Sequence, residues 1–303
     1  MMGQQPVFSS EPSSEAAVGS FKSSNTVIRR FLRHRPATMG LVILAVIGLA
    51  SALAPVIAPY PLGVPNYSAI LSPPSFRHLM GTDDIGADVF TEVLYGGRVS
   101  MLIGLASAVL AVGVGGVVGS VAGYFGGVVD MVLMRLVDVA LSIPILFVLL
   151  LLSIIFGATP ITIIAIIGGT SWMAPARLLR AQFLTVRERD YVEAARASGA
   201  SNARIILRQI LPNAVAPLIV NATVLVGQAI LLAAVMSFLG LGIQPPYISW
   251  GYILNTAQSY FTSAPWMSIF PGAMIFLVVL SVNLVGDGLR DSLDPTSRRQ
   301  PVK

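Results

Sequence analysis

Unbroken apolar runs, rather than alternation of apolar and polar residues, set the pattern of this chain. A polar stretch reaches to about Asn25. Apolar residues then run from Ala37 to about Pro59, and again over Val99–Val121, Val139–Phe156, Ala158–Ala176, Ala214–Leu239 and Trp266 to about Asp287. A bilayer core of about 30 Å takes about 20 apolar residues of helix, so the runs predict six membrane helices. The fourth is ambiguous. Its core, Ile161–Met173, is short and carries Gly168 and Gly169, which also suits a re-entrant segment. The first follows a cluster of arginines, as a signal peptide would. It exceeds the roughly 7 to 15 apolar residues of a signal core, and its one A-x-A match, Ala52–Ala54, runs into Pro55, which favours a membrane helix.

Charge orients the set. With six crossings and a cytoplasmic N-terminus, seventeen of the 19 lysines and arginines fall inside and only Arg77 and Arg98 outside. Omitting the fourth crossing would put the seven arginines from Arg177 to Arg208 outside, against the positive-inside rule. The expected fold is therefore an all-α polytopic membrane protein with six helices and both termini cytoplasmic. Its parts are a disordered tail (1–25), a first helix with a large outer loop (26–98), a core (99–290) holding an inner loop (187–213), and a short tail (291–303). Too few apolar residues lie in 1–25 to fold alone. The last outer loop, Leu241–Pro265, is uncharged and carries Tyr247, Trp250 and Tyr252, which suits headgroup depth.

Composition agrees and narrows the chemistry. Hydrophobic residues make up 55% of the 303 and charged ones 11%, against roughly 25% charged in soluble domains. A nucleic-acid partner is a poor fit; the bilayer is the solvent. There is no cysteine, so disulfides, thiolate metal sites and thiol nucleophiles are excluded. The lysines, Lys22 and Lys303, lie in polar termini, and no G-x-x-x-x-G-K-[ST] occurs, so the chain has no phosphate-binding loop of that kind. His34 and His78 fall on opposite sides of the membrane and cannot share a metal or a base role. No metal site and no catalytic set is expected.

Polar residues at membrane depth are few. Asp130, Arg135 and Asp138 lie where the third helix begins, and Arg135 and Asp138, three apart, suit a structural ion pair. Asn221, Gln228, Ser237 and Asn283 are uncharged candidates for a translocation path. Asn221 and Gln228 are two turns apart on one helix face, and interhelical hydrogen bonding explains them as well as pore lining does. Gly113–Gly116, Gly119 and Gly123 suit close packing of helix backbones.

The inner loop carries the most information. Asp190–Ala197 reads as a short helix closed by Gly199 in the left-handed conformation; Ser201 can N-cap a second helix reaching about Ile210, and Pro212 starts the next membrane helix. The small residues Ala194, Ala195 and Ala197 beside Glu193 allow close docking into a groove on another protein, and nearby arginines favour an acidic partner surface.

Glu193–Ala195, Gly199, Leu211 and Pro212 resemble the EAA signature of permease subunits of ATP-driven bacterial importers. The chain departs from it at Gln209, where that family has Ile, with Ile210 displaced by one. The stretches His78–Phe90, Leu94–Gly104, Gly123–Pro144 and Phe238–Leu254 are similar to the second permease of dipeptide, oligopeptide and nickel importers. In the first of these, with Gly81, Thr82, Asp83, Gly86 and Asp88, Ala87 stands where that family commonly has Arg. The resemblance spans roughly Arg29 to Pro295.

It implies a bacterial inner-membrane, non-catalytic subunit that forms the path for peptides with a second, homologous permease. Two ATPase domains or subunits would bind ATP and Mg, leaving this chain without a cofactor, and an extracytoplasmic solute-binding protein would deliver substrate. Residues 187–213 would be the coupling helices. A secondary transporter would need midplane carboxylates or broken inverted repeats, and a membrane enzyme a convergent catalytic set; neither stands out.

Overall fold

The computed structural model describes residues 24–293, so the expected disorder of the N-terminal tail and the basic residues beyond 293 lie outside the described residues. Among those described, the regular secondary structure is helical apart from one isolated antiparallel bridge between Thr82 and Asp88. In chain order the helices are α1 (Ser24–Arg33), α2 (Arg35–Ala52), α3 (Ala54–Ile57), α4 (Val89–Phe125), α5 (Gly127–Ser142), α6 (Ile145–Phe156), α7 (Pro160–Thr170), α8 (Met173–Val186), α9 (Asp190–Ala197), α10 (Asn202–Arg204), α11 (Leu211–Ala214), α12 (Ala216–Phe238), α13 (Trp250–Ala257) and α14 (Trp266–Leu293).

Four of these, α2, α4, α12 and α14, are long and apolar enough to cross a bilayer unaided. The third and fourth apolar runs are not straight spans. α5 and α6 meet at 85°, and α7 and α8 at 42°. The first bend sits at Ile143, extended at φ −90°, ψ 127°, as expected of a residue before proline, here Pro144. The second sits at Ser171–Trp172, where Pro175 removes an N–H that a continuous helix would need. The second run is only part of a helix: α4 has 37 residues, about 55 Å of rise. It begins ten residues before Val99 because Asp88 N-caps it, its carboxylate accepting the Thr91 N–H at 2.8 Å.

α4 is the spine. Gly115, Gly119 and Gly123 recur every four residues and face the backbone of Trp172, which caps α8, and of Ala176 and Arg180 along it, spaced alike. A side chain at these glycines would strike α8, so the stripe sets the separation of the two helices. Around the spine, Val93, Trp250, Ile253, Met267 and Val278 pack one half of the core, and Ile103, Leu149, Ile163, Ile167 and Met236 the middle. The expectation for the last loop changes in part. Trp250 is buried, donating its indole N–H to the Val93 carbonyl at 2.9 Å and its backbone N–H to Ser100 Oγ at 3.1 Å. Tyr247 remains exposed.

Arg135 makes no ion pair among the described residues. Asp138 pairs with Arg177, and Asp130 takes both forks of Arg180. The i,i+3 pair expected within one helix is replaced by pairs across helices, because α5 packs against α8, which carries Arg177 and Arg180. Two planar guanidinium contacts thereby clamp these helices.

Candidate functional site

At one end of α4 the segment 187–213 forms a projecting knob. α9 ends with Ser198; Gly199 follows at φ +74°, and the Ala200 N–H returns to the Ala195 carbonyl at 3.1 Å. This closure leaves the helix carbonyls satisfied. Ser201 then caps α10, accepting the Arg204 N–H at 3.4 Å. The expected second helix is present with a change of form: Ile205–Ile210 is π-helical and runs into α11. Pro212 lacks an N–H and its ring would crowd the carbonyl four residues back, so the wider turn relieves both conflicts. Pro212 thus follows the π-helical turn inside a nearly continuous rod from Asn202 to Phe238, rather than opening a membrane helix of its own.

The knob has two faces. Val192, Ile205 and Ile210 are buried with Leu179, Phe183 and Tyr124, so Ile210 makes the apolar contact and Gln209 is only half-buried. The Tyr124 hydroxyl lies 2.7 Å from Asn202 Oδ1, and Arg187 donates to the Gly123 carbonyl at 3.1 Å. Sequence reasoning missed both anchors, although a tyrosine closing an apolar helix calls for a hydroxyl partner. On the other face Glu193, Ala194, Arg196 and Ala197 are exposed around a shallow groove that Asp190 also lines. Glu193 forms no ion pair among the described residues.

The four path candidates separate. Gln228 is exposed and opens into an apolar groove of about 710 Å³ between the two bends, lined by Ile143, Pro144, Thr170, Trp172 and Leu231. Asn221 opens into another of about 710 Å³, with Gln182, Asn213, Val224 and Arg290, and its Oδ1 is buried without a partner among the described residues. Ser237 does not belong with them. It is buried, and its Oγ accepts the Ile243 N–H at 3.0 Å to hold the turn after α12. Asn283 is exposed and donates to the Val279 carbonyl of its own helix at 2.9 Å.

At the opposite end, residues 60–88 fold into a cap. Thr82 Oγ1 accepts the Ser72 N–H at 2.8 Å and donates to the Ala69 carbonyl. Asp83 Oδ1 accepts the N–H groups of Ala87 at 2.6 Å and Ile85 at 3.0 Å. Burial nonetheless pushes the Asp83 carboxyl up to about 6, outweighing those hydrogen bonds. Asp88 holds Thr91 with one oxygen and lies 2.9 Å from His78 Nδ1 with the other, while the His78 ring stacks on Tyr60 at 4.8 Å. Gly81 packs under Trp266, whose indole donates to the Thr82 carbonyl at 3.0 Å. Ala87, in place of the expected Arg, is buried.

The family model described as "Binding-protein-dependent transport system inner membrane component" matches residues 115–299. A second, "N-terminal TM domain of oligopeptide transport permease C", matches residues 25–74. A Brucella abortus protein whose name assigns it to a peptide transport system as a permease is 44% identical over 272 residues, covering 88% of this chain and 90% of its own length. The Mycobacterium bovis protein named oligopeptide transport system permease protein OppC is 38% identical over 281 residues, covering 92% and 97%. The chain belongs to the binding-protein-dependent transport system inner membrane component family, as a multi-pass permease subunit.

Proposed function

We propose that this chain forms, with a second homologous permease, the membrane path of an ATP-driven importer of peptides. The names of its relatives support the substrate class. In this reading each bent pair is one crossing, giving six crossings with both termini cytoplasmic, and the arginine distribution supports that sidedness. The parts are a cytoplasmic tail (1–25), the first helix with its outer loop (26–98), the permease core (99–290) and a closing tail (291–303).

Residues 187–213 are the coupling loop. The observation that carries this is a knob rooted by Val192, Ile205 and Ile210 while Glu193, Ala194 and Ala197 stay exposed on top. Small side chains beside an unpaired carboxylate fit a groove in an ATPase subunit, one of two that bind ATP and Mg; this chain itself takes no cofactor. Ala195 and Gly199 shape the knob, and Leu211 with Pro212 lies inside the rod that runs from it into α12, so closure of the ATPases tilts α12. Gln228 and Asn221 face the path, and Asn283 stands on α14 for the same role. An extracytoplasmic solute-binding protein docks on the cap containing Gly81, Thr82, Asp83, Gly86 and Asp88.

Glu193→Lys and Gly199→Val test this. Uptake in reconstituted vesicles should fall at least about tenfold, the equivalent of about 1.4 kcal/mol of lost coupling, with the complex still assembled. Normal uptake in both variants overturns the assignment of the loop.

A further inference from the structure

α1 divides sharply into two sides. At 100° per residue Ile28, Phe31 and Leu32 share one side and Arg29, Arg30 and Arg33 the other, with no acidic residue in the helix. Phe31 is half-buried, whereas Ile28 and Leu32 are 54% and 56% exposed.

Position follows from one contact. A single residue, His34, extended at φ −82°, ψ 93°, separates α1 from α2. A Cβ placed on Gly288 would lie 3.2 Å from the Phe31 ring and would also strike the Ala37 methyl. Six residues of unbroken helix would carry Phe31 about 9 Å away from Ala37 along the axis. Both reach Gly288, so α1 turns at His34 and stays level with the first turn of α2. The turn is tied by His34 Nε2, 3.3 Å from Asp291 Oδ2. A helix at one depth beside the mouth of a membrane helix, apolar on one side and cationic on the other, has the form of an interfacial helix.

Its cations are also unspent. Arg29, Arg33 and Arg35 are exposed, Arg30 Nη1 is buried without a hydrogen-bond partner, and none of the four forms an ion pair among the described residues. Asp291 is already engaged by His34. Such a cluster complements a surface of phosphates.

We propose that α1 lies in the headgroup layer of the bilayer and binds anionic phospholipid: Ile28 and Leu32 enter the acyl boundary, and Arg29, Arg30 and Arg33 engage lipid phosphates. The helix then anchors the start of α2 and the end of α14 at a fixed depth, through Phe31 on Gly288.

The chain has no cysteine, so Ile28→Cys and Arg29→Cys each give one attachment point for a polarity-sensitive fluorophore. The labelled transporter, assembled with its partners, goes into nanodiscs of phosphatidylcholine alone or with one third phosphatidylglycerol. The label at position 28 should shift to the blue and be quenched by lipids carrying a quencher near the top of the acyl chain, more strongly with phosphatidylglycerol. The label at position 29 should show neither effect. Adding Arg30→Gln and Arg33→Gln to the Ile28→Cys chain should lower the docked-to-undocked ratio about fivefold per arginine. Equal water exposure of both labels in both bilayers overturns the proposal. So does shielding of position 28 only when the ATPase subunits are present, which would make the occupant an acidic protein face. Neither result touches the transport reading, which is decided by uptake.

Discussion

The cap at residues 60–88 and the knob at 187–213 are both polar, motif-bearing segments at opposite ends of α4, yet they use their polar groups in opposite ways. In the cap, Thr82, Asp83 and Asp88 are at most 5% exposed, and each is bonded to groups of the chain itself. In the knob, Glu193 and Arg196 stand in solvent, and the apolar residues alone are buried. A polar group consumed inside the fold holds structure, whereas one left without a partner is available to another molecule. The cap motif is therefore a brace for α4 and α14, and its outward surface is made by other residues, Tyr67 and Phe76 among them.

Two glycines break the comparison most sharply. Gly86 and Gly199 share a left-handed backbone, φ +79° and +74°. A Cβ on Gly86 would overlap the Asn66 carbonyl oxygen, while one on Gly199 meets nothing within 4 Å. Gly199→Ala should thus lose only the backbone preference, about 1 to 2 kcal/mol, with assembly intact. Gly86→Ala adds a steric conflict against backbone and should lower the unfolding temperature of the purified subunit several-fold more. Equal shifts would show that the cap is as open as the knob.

A smaller effect comes from pH. The Asp83 carboxyl titrates near 6 in the folded cap, above its ordinary value of 3.8. A group raised on folding binds its proton more tightly in the native state, so its stabilisation is fully present below 3.8 and is lost as pH rises through about 6. Acidification from pH 7 to pH 5 should accordingly raise the unfolding temperature more in the native chain than in Asp83→Asn, which lacks that carboxyl. Parallel pH profiles for the two would remove Asp83 from this role.

The knob was largely legible in the sequence because its rules are local: Gly199 after a short helix and Ser201 before the next are capping signals a few residues long. The glycine stripe of α4 was legible for the same reason. The bends were not. Pro144 and Pro175 stand inside runs whose hydropathy is continuous, and a hydropathy window sees composition but not direction. The ion pairing was not legible because the i,i+3 rule sees one helix at a time: Arg135 and Asp138 share α5, but α8 packs against it and brings Arg177 to Asp138. Ser237 looked like a path residue because burial by a neighbouring turn leaves no trace in a helical pattern. Trp250 looked interfacial because aromatic rings favour that depth, until a nearby carbonyl on α4 offered its indole a partner.

The finest test concerns what roots the knob. Its apolar anchors give adhesion without direction, because side chains such as Val192 and Ile205 tolerate small rotations against Leu179 and Phe183. Direction is supplied by the Tyr124 hydroxyl on Asn202, a 2.7 Å bond linking the last turn of α4 to the first residue of α10. Removing it by Tyr124→Phe keeps the ring in the cluster and costs about 1 kcal/mol, close to the resolution of an unfolding experiment. If the knob merely adheres, uptake and ATP hydrolysis stay in their normal ratio. If it must hold its orientation to pass movement into α12, the ratio of peptide taken up to ATP hydrolysed falls while assembly and unfolding temperature scarcely change. Asn202→Ala should reproduce that loss, and the double substitution should add little to either, because both remove the same bond.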